Sequence, residues 1–342
     1  MAKVLLSYIL NSDMTKLLSK IIGLLFIISI LCAFMIKAPI KYKHNLAAIS
    51  NRFDMMSSRN SKKIVFVGGS GLALGVNSET ISNELGYDVI NLGYYAGYGI
   101  NFLLEKSKQY LNPGDIVIII PEFGLFLVNE TLWPTDKDTY KWLFITDNYI
   151  AIRNLYLQGN NYKLILRDLS ELFRDRVDTF AFALRNKSFS KIFGYGWIDN
   201  KNFNKYGDLI KDGSPKANYN NFLDHGIVYA SNSLKNSVVD ELNNYGNYFI
   251  KKGITVYFMY SCFPQEEYVL NKYQFSQIDI QLRKSLNFEI LGTQSSFILP
   301  SQHFSNTANH LTKSGKELRT KIMVEILKRN LSPDVTTKVT MH

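Results

Sequence analysis

Short apolar runs alternate with helical patterns along most of the chain beyond residue 62. Each run is brief and rich in β-branched or aromatic residues, as buried strands are. The predicted strands are 63–67, 88–92, 116–123, 254–260 and 287–291. The predicted helices begin near Ser78, run from Asn101 to Leu111, and run from Thr312 to about Asn330. Because the third run is apolar on both faces, the pattern predicts an α/β fold in which helices cover both faces of a parallel sheet.

An uncharged run of sixteen residues, Ile21 to Ile36, precedes the alternating region. Extended back to Leu17, and with Lys20 and Lys37 at its edges, it approaches the roughly 20 residues that cross the hydrocarbon core as one helix. A cleaved signal peptide is the alternative. However, no A-x-A pattern closes the run, and the leucine before Cys32 fits a lipoprotein cleavage site poorly. We therefore expect one uncleaved N-terminal transmembrane helix.

The chain is predicted to have two main parts, with a polar connector over Lys41 to Lys63. Residues 1–44 form a leader and membrane anchor, and residues 45–342 form the α/β domain. Lysines flank the apolar run on both sides, so the positive-inside rule does not set its orientation. Residues 125–230, rich in Tyr, Phe, Asn and Trp, interrupt the strand and helix rhythm. They form a large insertion, either a cap that shapes a substrate site or a packing elaboration.

The formal charge of +10 does not indicate a nucleic-acid-binding protein. Residues 1–63 hold ten Lys and Arg against two acids, whereas residues 64–342 hold 29 bases and 27 acids. The basic side chains therefore lie around the membrane segment and are not grouped on the folded domain. Cys32 and Cys262 lie far apart and form no CxxC pattern, so we expect no disulfide and no metal site.

Gly68-Gly69-Ser70-Gly71 directly follows the first predicted strand. Glycines on both sides of Ser70 allow a sharp turn that exposes its hydroxyl, although a helix cap or turn residue is the more common role of such a serine. The segment lacks the Gly-Lys-Ser/Thr ending of a P-loop and the G-x-G-x-x-G of a dinucleotide site. It also differs from the lipase motif G-x-S-x-G, because residue 72 is Leu. No cofactor is therefore expected.

Two further segments carry candidate chemistry. Asn91-Leu92-Gly93 ends the second predicted strand, where the Gly93 amide could donate to an oxyanion beside Ser70, although a plain flexible loop explains the glycine equally well. His310 lies just before the last predicted helix, and a neutral imidazole there could accept the proton of a serine. A lone surface histidine is the alternative. Ser70 and His310 carry an argument for catalysis only as a pair.

The ordered set GGSG, NLG, a buried strand ending in PEF, and N-T-A-N-H-L-T-x-x-G resembles the SGNH (GDSL-like) hydrolase superfamily. More narrowly, it is similar to the membrane-anchored SGNH-like proteins of envelope glycan O-acylation, of the teichoic-acid D-alanylation and alginate acetylation type. The resemblance covers about residues 62–124 and 300–328. It implies a flavodoxin-like three-layer fold and a serine acyl-transfer site. In that site Ser70 is the nucleophile, His310 is the base, and the Ser70 and Gly93 amides form the oxyanion hole.

The sequence departs from the family pattern at two places. The family places an Asp shortly before its His, whereas this chain has Asn306, which can orient an imidazole but cannot stabilise imidazolium as a carboxylate does. Where many members carry Gly-x-Asn-Asp, this chain has Pro121-Glu122-Phe123. Glu122 could orient a base, bind a hydroxyl, or merely end the strand, and Asn91 could serve as an orienting or substrate-binding residue. The site is therefore predicted to be weakly active or to rest on a Ser/His dyad.

The resemblance implies a serine O-acyltransferase held in the cytoplasmic membrane by a single helix, with its catalytic domain outside the cytoplasm. Its expected partners are the lipid bilayer, a membrane-bound O-acyltransferase and an envelope polysaccharide, with no nucleic acid. Two alternatives remain. One is a non-catalytic SGNH-like scaffold that binds glycan or a membrane acyltransferase, and the other is a carbohydrate esterase. A fold-level resemblance does not fix the substrate.

Overall fold

A parallel sheet and the helices around it make up most of the part of the chain that the structure describes. The computed structural model describes residues 12–37, 47–59, 61–94, 99–124, 203–210 and 234–331, together with Ser170, Arg174, Val177, Asp178, Ala181 and Arg185. The strands are β1 (Lys63–Gly68), β2 (Asp88–Asn91), β3 (Ile116–Ile120), β4 (Thr255–Met259), β5 (Phe263–Pro264), β6 (Glu289–Leu291) and β7 (Ile298–Leu299). The helices are α1 (Ser12–Lys37), α2 (Ala47–Ser57), α3 (Ser70–Gly75), α4 (Ser78–Leu85), α5 (Ile100–Ser107), α6 (Asn236–Lys251), α7 (Gln265–Leu270), α8 (Lys272–Ser285) and α9 (Lys313–Leu331). Short 3₁₀ helices lie at Gln294–Phe297 and Ser301–His303.

The main sheet has five strands in the order β2-β1-β3-β4-β6, and all four of its ladders are parallel. Every residue of β1 and of β3 is buried, as expected for strands covered on both faces. The predicted α/β class with a parallel sheet is confirmed. A two-stranded parallel ladder of β5 and β7 lies outside this sheet.

Five of the described helices fall into two packed groups. Helices α5 and α6 contact each other and contact β1 and β4, respectively, whereas α3 and α4 both contact α9. The chain moves from β1 to β2 in one direction along the sheet and from β2 to β3 in the other. Connections between parallel strands of one sheet are right-handed. Because these two connections run in opposite directions along the sheet, the two groups of helices cover opposite faces. The strand order is that of a doubly wound fold, whose direction reverses between β1 and β3.

Part of the predicted polar connector instead forms a helix that packs on the domain. Helix α2 contacts β2, and it buries Phe53 and Met56 in the core next to the fully buried Arg52. The two apolar positions lie three residues apart on one helical face. A pattern of only two positions does not distinguish a helix from a polar connector in the sequence.

Residues 21–36, the predicted membrane span, lie within α1. Among the helices in the described ranges, none meets the length and apolarity needed to cross a membrane.

Most of the predicted insertion, residues 125–230, lies outside the described residues. Residues 203–210 are its main described part, and they lie against the end of β2. The Asn91 N–H donates to the Tyr206 carbonyl at 2.7 Å, and the Leu209 N–H donates to the Ala73 carbonyl at 3.1 Å. This stretch of the insertion is therefore hydrogen-bonded to the edge of the sheet, close to the predicted site.

Candidate active site

The candidate site lies at the carboxyl ends of β1 and β3, where the order of the strands reverses. Ser70 follows β1 and starts α3, and Glu122 follows β3, the neighbouring strand. His310 comes from the loop before α9, which is closed by a hydrogen bond from the Ser305 N–H to the His310 carbonyl at 2.8 Å. Open parallel sheets bind ligands at this position, because the loops on either side of the reversal diverge and leave a crevice.

The structure brings together the serine, the histidine and the asparagine that the sequence singles out. His310 Nε2 lies 2.9 Å from Ser70 Oγ, and His310 Nδ1 lies 2.9 Å from Asn306 Oδ1. Since the Asn306 oxygen is an acceptor, Nδ1 carries the imidazole proton and Nε2 presents its lone pair to the Ser70 hydroxyl. The arrangement has the order of a serine triad, with an amide in place of the usual carboxylate.

Partial burial favours the uncharged form of His310. Desolvation lowers the pKa of its imidazole below the ordinary value of 6.5, because burial penalises the charged form. A neutral His310 can accept a proton from Ser70. The imidazolium that results gains no charge partner from Asn306, which limits how far this pair can activate the serine.

Glu122 is a third neighbour of the serine hydroxyl. Its Oε1 atom accepts a hydrogen bond from the Gly71 N–H at 2.7 Å and lies 3.2 Å from Ser70 Oγ. The side chain is buried, and this burial raises the pKa of its carboxyl against the opposing effect of these hydrogen bonds and of Arg319. Of the three roles considered for Glu122, contact with a hydroxyl is the one that the geometry supports.

The amide predicted for the oxyanion hole already has an acceptor. The Gly93 N–H donates to Asn91 Oδ1 at 2.7 Å. The other end of the Asn91 amide donates to Asp208 Oδ1 at 2.9 Å and to the Leu72 carbonyl at 3.2 Å. Asn91 therefore orients the loop after β2. For Gly93 to serve an oxyanion, its N–H must leave Asn91 or be shared with it.

Asp208 is a buried residue of the site that the sequence does not single out. It accepts hydrogen bonds from the Ser78 N–H at 2.7 Å and from the Ser78 hydroxyl at 2.6 Å, in addition to the bond from Asn91. One carboxylate of the insertion thus fixes both the start of α4 and the end of β2. The local sequence feature that marks this position is the preceding Gly207, which forms a tight turn with a φ of 91° that favours glycine.

Two buried arginines fix the glycine backbone on either side of the site. Arg319 Nη1 of α9 donates to the Gly71 carbonyl at 2.7 Å, and Arg52 Nη1 of α2 donates to the Gly93 carbonyl. Arg52 also stacks on the ring of Phe203, with its guanidinium carbon 3.9 Å from the ring centre. A buried arginine has no distinguishing pattern in the sequence, so neither residue could be found there.

Gly71 is required by the close approach of the histidine loop. A Cβ atom at this position would lie 2.7 Å from the Asn309 carbonyl oxygen and 3.3 Å from Glu122 Oε1. The glycine therefore allows the strand-end serine, the histidine loop and Glu122 to meet at one point.

Comparison with known proteins adds no relative: the chain matches no protein-family model and no curated protein sequence. Within the described ranges, His, Cys, Asp and Glu side chains form no group of three or more that could hold a metal ion.

Proposed function

We propose that the protein is a membrane-anchored serine O-acyltransferase with an SGNH-like site. The acyl group that it transfers is taken to be acetyl, and the acceptor is a polysaccharide of the cell envelope. The observation that carries the proposal is the 2.9 Å contact between Ser70 Oγ and His310 Nε2 at the point where the strand order reverses. This pairing of a nucleophile with a base is the arrangement that acyl transfer through a serine requires.

The proposed reaction has two steps. In the first, His310 accepts the Ser70 proton while Oγ attacks the acyl carbonyl carbon, and the donor leaves with the proton that His310 returns to it. In the second, a sugar hydroxyl attacks the Ser70 ester, loses its proton to His310, and takes the acyl group as Ser70 recovers its hydroxyl. If water is the acceptor, the same steps describe an esterase.

Membrane attachment belongs to the proposal because it concentrates the reactants. Residues 21–36 would anchor the domain in the cytoplasmic membrane, with the domain outside the cytoplasm, beside a membrane-bound O-acyltransferase that supplies the acyl group. Holding donor and acceptor near one surface raises their effective concentrations without any new contact.

Intact-mass spectrometry with an activated acetyl ester tests the proposal. The full chain in detergent is incubated with p-nitrophenyl acetate, and both nitrophenol release and a mass increase of one acetyl group are followed. Both are expected in the unmodified protein and are expected to disappear in Ser70→Ala. Ser276→Ala, which removes an exposed hydroxyl on α8, is the matched control and retains them. Absence of turnover and of adduct in the folded protein would reject the serine mechanism.

A non-catalytic scaffold is the second candidate, and one observation favours it. The Gly93 N–H and the Gly71 N–H are both bonded to side-chain oxygens, those of Asn91 and Glu122, in the region where an oxyanion would need donors. Such a protein would bind a glycan or a membrane acyltransferase without turnover. It predicts binding of envelope polysaccharide that Ser70→Ala leaves unchanged.

A further inference from the structure

The Ser70 hydroxyl has one proton and two acceptors. His310 Nε2 lies 2.9 Å from Oγ, and Glu122 Oε1 lies 3.2 Å from the same atom. Ser70 Oγ acts as a nucleophile only when its proton is directed at His310, because this base must take the proton during attack. When Glu122 is a carboxylate, it competes for that proton.

An anionic Glu122 also opposes the charge that acyl transfer creates. Attack by Ser70 places a negative charge on the former carbonyl oxygen, next to the serine and to the amides of its loop. The Gly71 N–H in this loop already donates to Glu122 Oε1 at 2.7 Å. A second negative charge within a few ångströms in a buried site is repelled strongly, since water does not screen it.

The other charged and titratable groups around Glu122 do not remove this conflict. Arg319 on α9 attracts the carboxylate electrostatically, but its Nη1 donates to the Gly71 carbonyl. The Nε and Nη2 atoms of Arg319 have no hydrogen-bond partner among the described residues. Cys262 lies near Arg319 and is a buried thiol whose pKa is raised to about 11 by burial, so it is neutral. His310 faces the shared serine oxygen, and burial lowers its pKa, which favours the neutral form.

We propose that Glu122 is an inhibitory carboxylate: as an anion it restrains Ser70, and the site becomes competent for acyl transfer when this carboxyl is protonated. The inference rests on the proposed serine acyl-transfer function and adds to it a built-in dependence on pH. It assigns Glu122 a role opposite to that of a triad acid, which assists the histidine as an anion.

The proposal predicts an unusual pH profile. Burial raises the pKa of Glu122 and lowers the pKa of His310, and both shifts increase the fraction of molecules in which the two side chains are neutral together. Activity is expected to follow that fraction. It declines at lower pH as His310 becomes protonated, and it declines at higher pH as Glu122 ionises. A serine and histidine pair without such a carboxylate stays active on the alkaline side.

The test compares kcat/KM for p-nitrophenyl acetate across pH in the full chain and in Glu122→Gln. Glutamine keeps the shape of the side chain and an acceptor for Gly71 but carries no charge. Glu122→Gln is expected to remove the alkaline decline and to raise kcat/KM about tenfold or more on that side. Glu267→Gln, which alters an equally buried glutamate on α7, is the matched control and keeps the original profile. Rates in Ser70→Ala are subtracted throughout.

The outcomes distinguish failure of this inference from failure of the acyltransferase proposal on which it rests. Ser70-dependent turnover that is equal or lower in Glu122→Gln would overturn the inhibitory role and leave the acyltransferase proposal standing. If Glu122→Gln fails to fold, the profile of the unmodified protein decides, because a rate that rises to an alkaline plateau contradicts the inference. Absence of Ser70-dependent turnover in every folded variant at every pH would overturn both proposals.

Discussion

His310 Nε2 lies 2.9 Å from Ser70 Oγ, although the two residues are 240 positions apart in the sequence. The contact depends on α9, which follows the histidine loop and packs against α3, the helix that Ser70 starts. Arg319 of α9 strengthens this attachment, because it donates to the Gly71 carbonyl beside the serine. The base and the nucleophile are thus positioned by the same pair of helices.

Replacing the base tests whether this contact is catalytic. In the full chain, His310→Gln is expected to lower the rate of Ser70 acetylation by roughly 10²-fold or more, because general base catalysis contributes 10²–10⁴-fold. His303→Gln is the control from the same part of the chain, since His303 Nδ1 contacts Ser314 Oγ at 3.1 Å. Equal acetylation rates in the two variants, measured by intact mass, would remove His310 from the mechanism.

The fold is predictable where the sequence pattern is local and strong. The run that forms β3 is apolar throughout and the run that forms β1 is apolar after Lys63, so burial on both faces follows directly from the sequence. The short helix α3 is not predictable in this way, because its first and last residues are Ser70 and Gly75 and its six residues have no clear helical period. Its position depends on tertiary packing against α9.

The candidate site is predictable only in part, for a related reason. Ser70, Asn306 and His310 carry recognisable chemistry, and the structure brings them together. Asp208 and Arg319 act through long-range hydrogen bonds, and no local pattern indicates which distant partner a buried carboxylate or guanidinium will meet. The Asn91 contact with Gly93 likewise depends on how Asp208 orients the asparagine amide.

Restoring a carboxylate beside the histidine is expected to increase activity. In Asn306→Asp, the new carboxylate would accept the His310 Nδ1 proton, raise the pKa of the imidazole and stabilise imidazolium during attack. We expect kcat/KM for p-nitrophenyl acetate to rise about tenfold. Asn309→Asp adds the same charge to the same loop and is the control. An unchanged rate in Asn306→Asp would show that the charge of His310 does not limit the reaction.

Asp208 is expected to support stability more than a typical buried residue. Asp208→Ala would leave the Ser78 N–H, the Ser78 hydroxyl and the Asn91 amide without their shared acceptor. The expected loss is about 2–4 kcal/mol in the free energy of unfolding, because buried donors lose their partner. Urea unfolding followed by circular dichroism measures it. Asp240→Ala, at an exposed position of α6, is expected to change stability by less than about 0.5 kcal/mol.

Glu122 also makes the stability of the fold depend on pH. Burial raises the pKa of its carboxyl above the ordinary value of 4.5, so between these two values the folded state holds a proton that the unfolded state has released. This contribution to stability is therefore complete at lower pH and is lost as pH rises through the folded pKa. The loss is about 1.4 kcal/mol for every tenfold difference between the acid dissociation constants of the folded and unfolded states.

Glu122→Gln removes the titrating carboxyl and with it the pH dependence of stability that the carboxyl causes. The free energy of unfolding of the variant, relative to that of the unmodified protein, is expected to increase as pH rises above about 4.5 and then to level off above the folded pKa of Glu122. Urea midpoints from pH 4 to 9 measure the difference. His310 acts with the opposite sign: burial lowers its pKa, so the folded state favours the neutral imidazole and stability falls as pH drops below about 6.5. A constant difference between Glu122→Gln and the unmodified protein would mean that Glu122 titrates alike in the folded and unfolded chains.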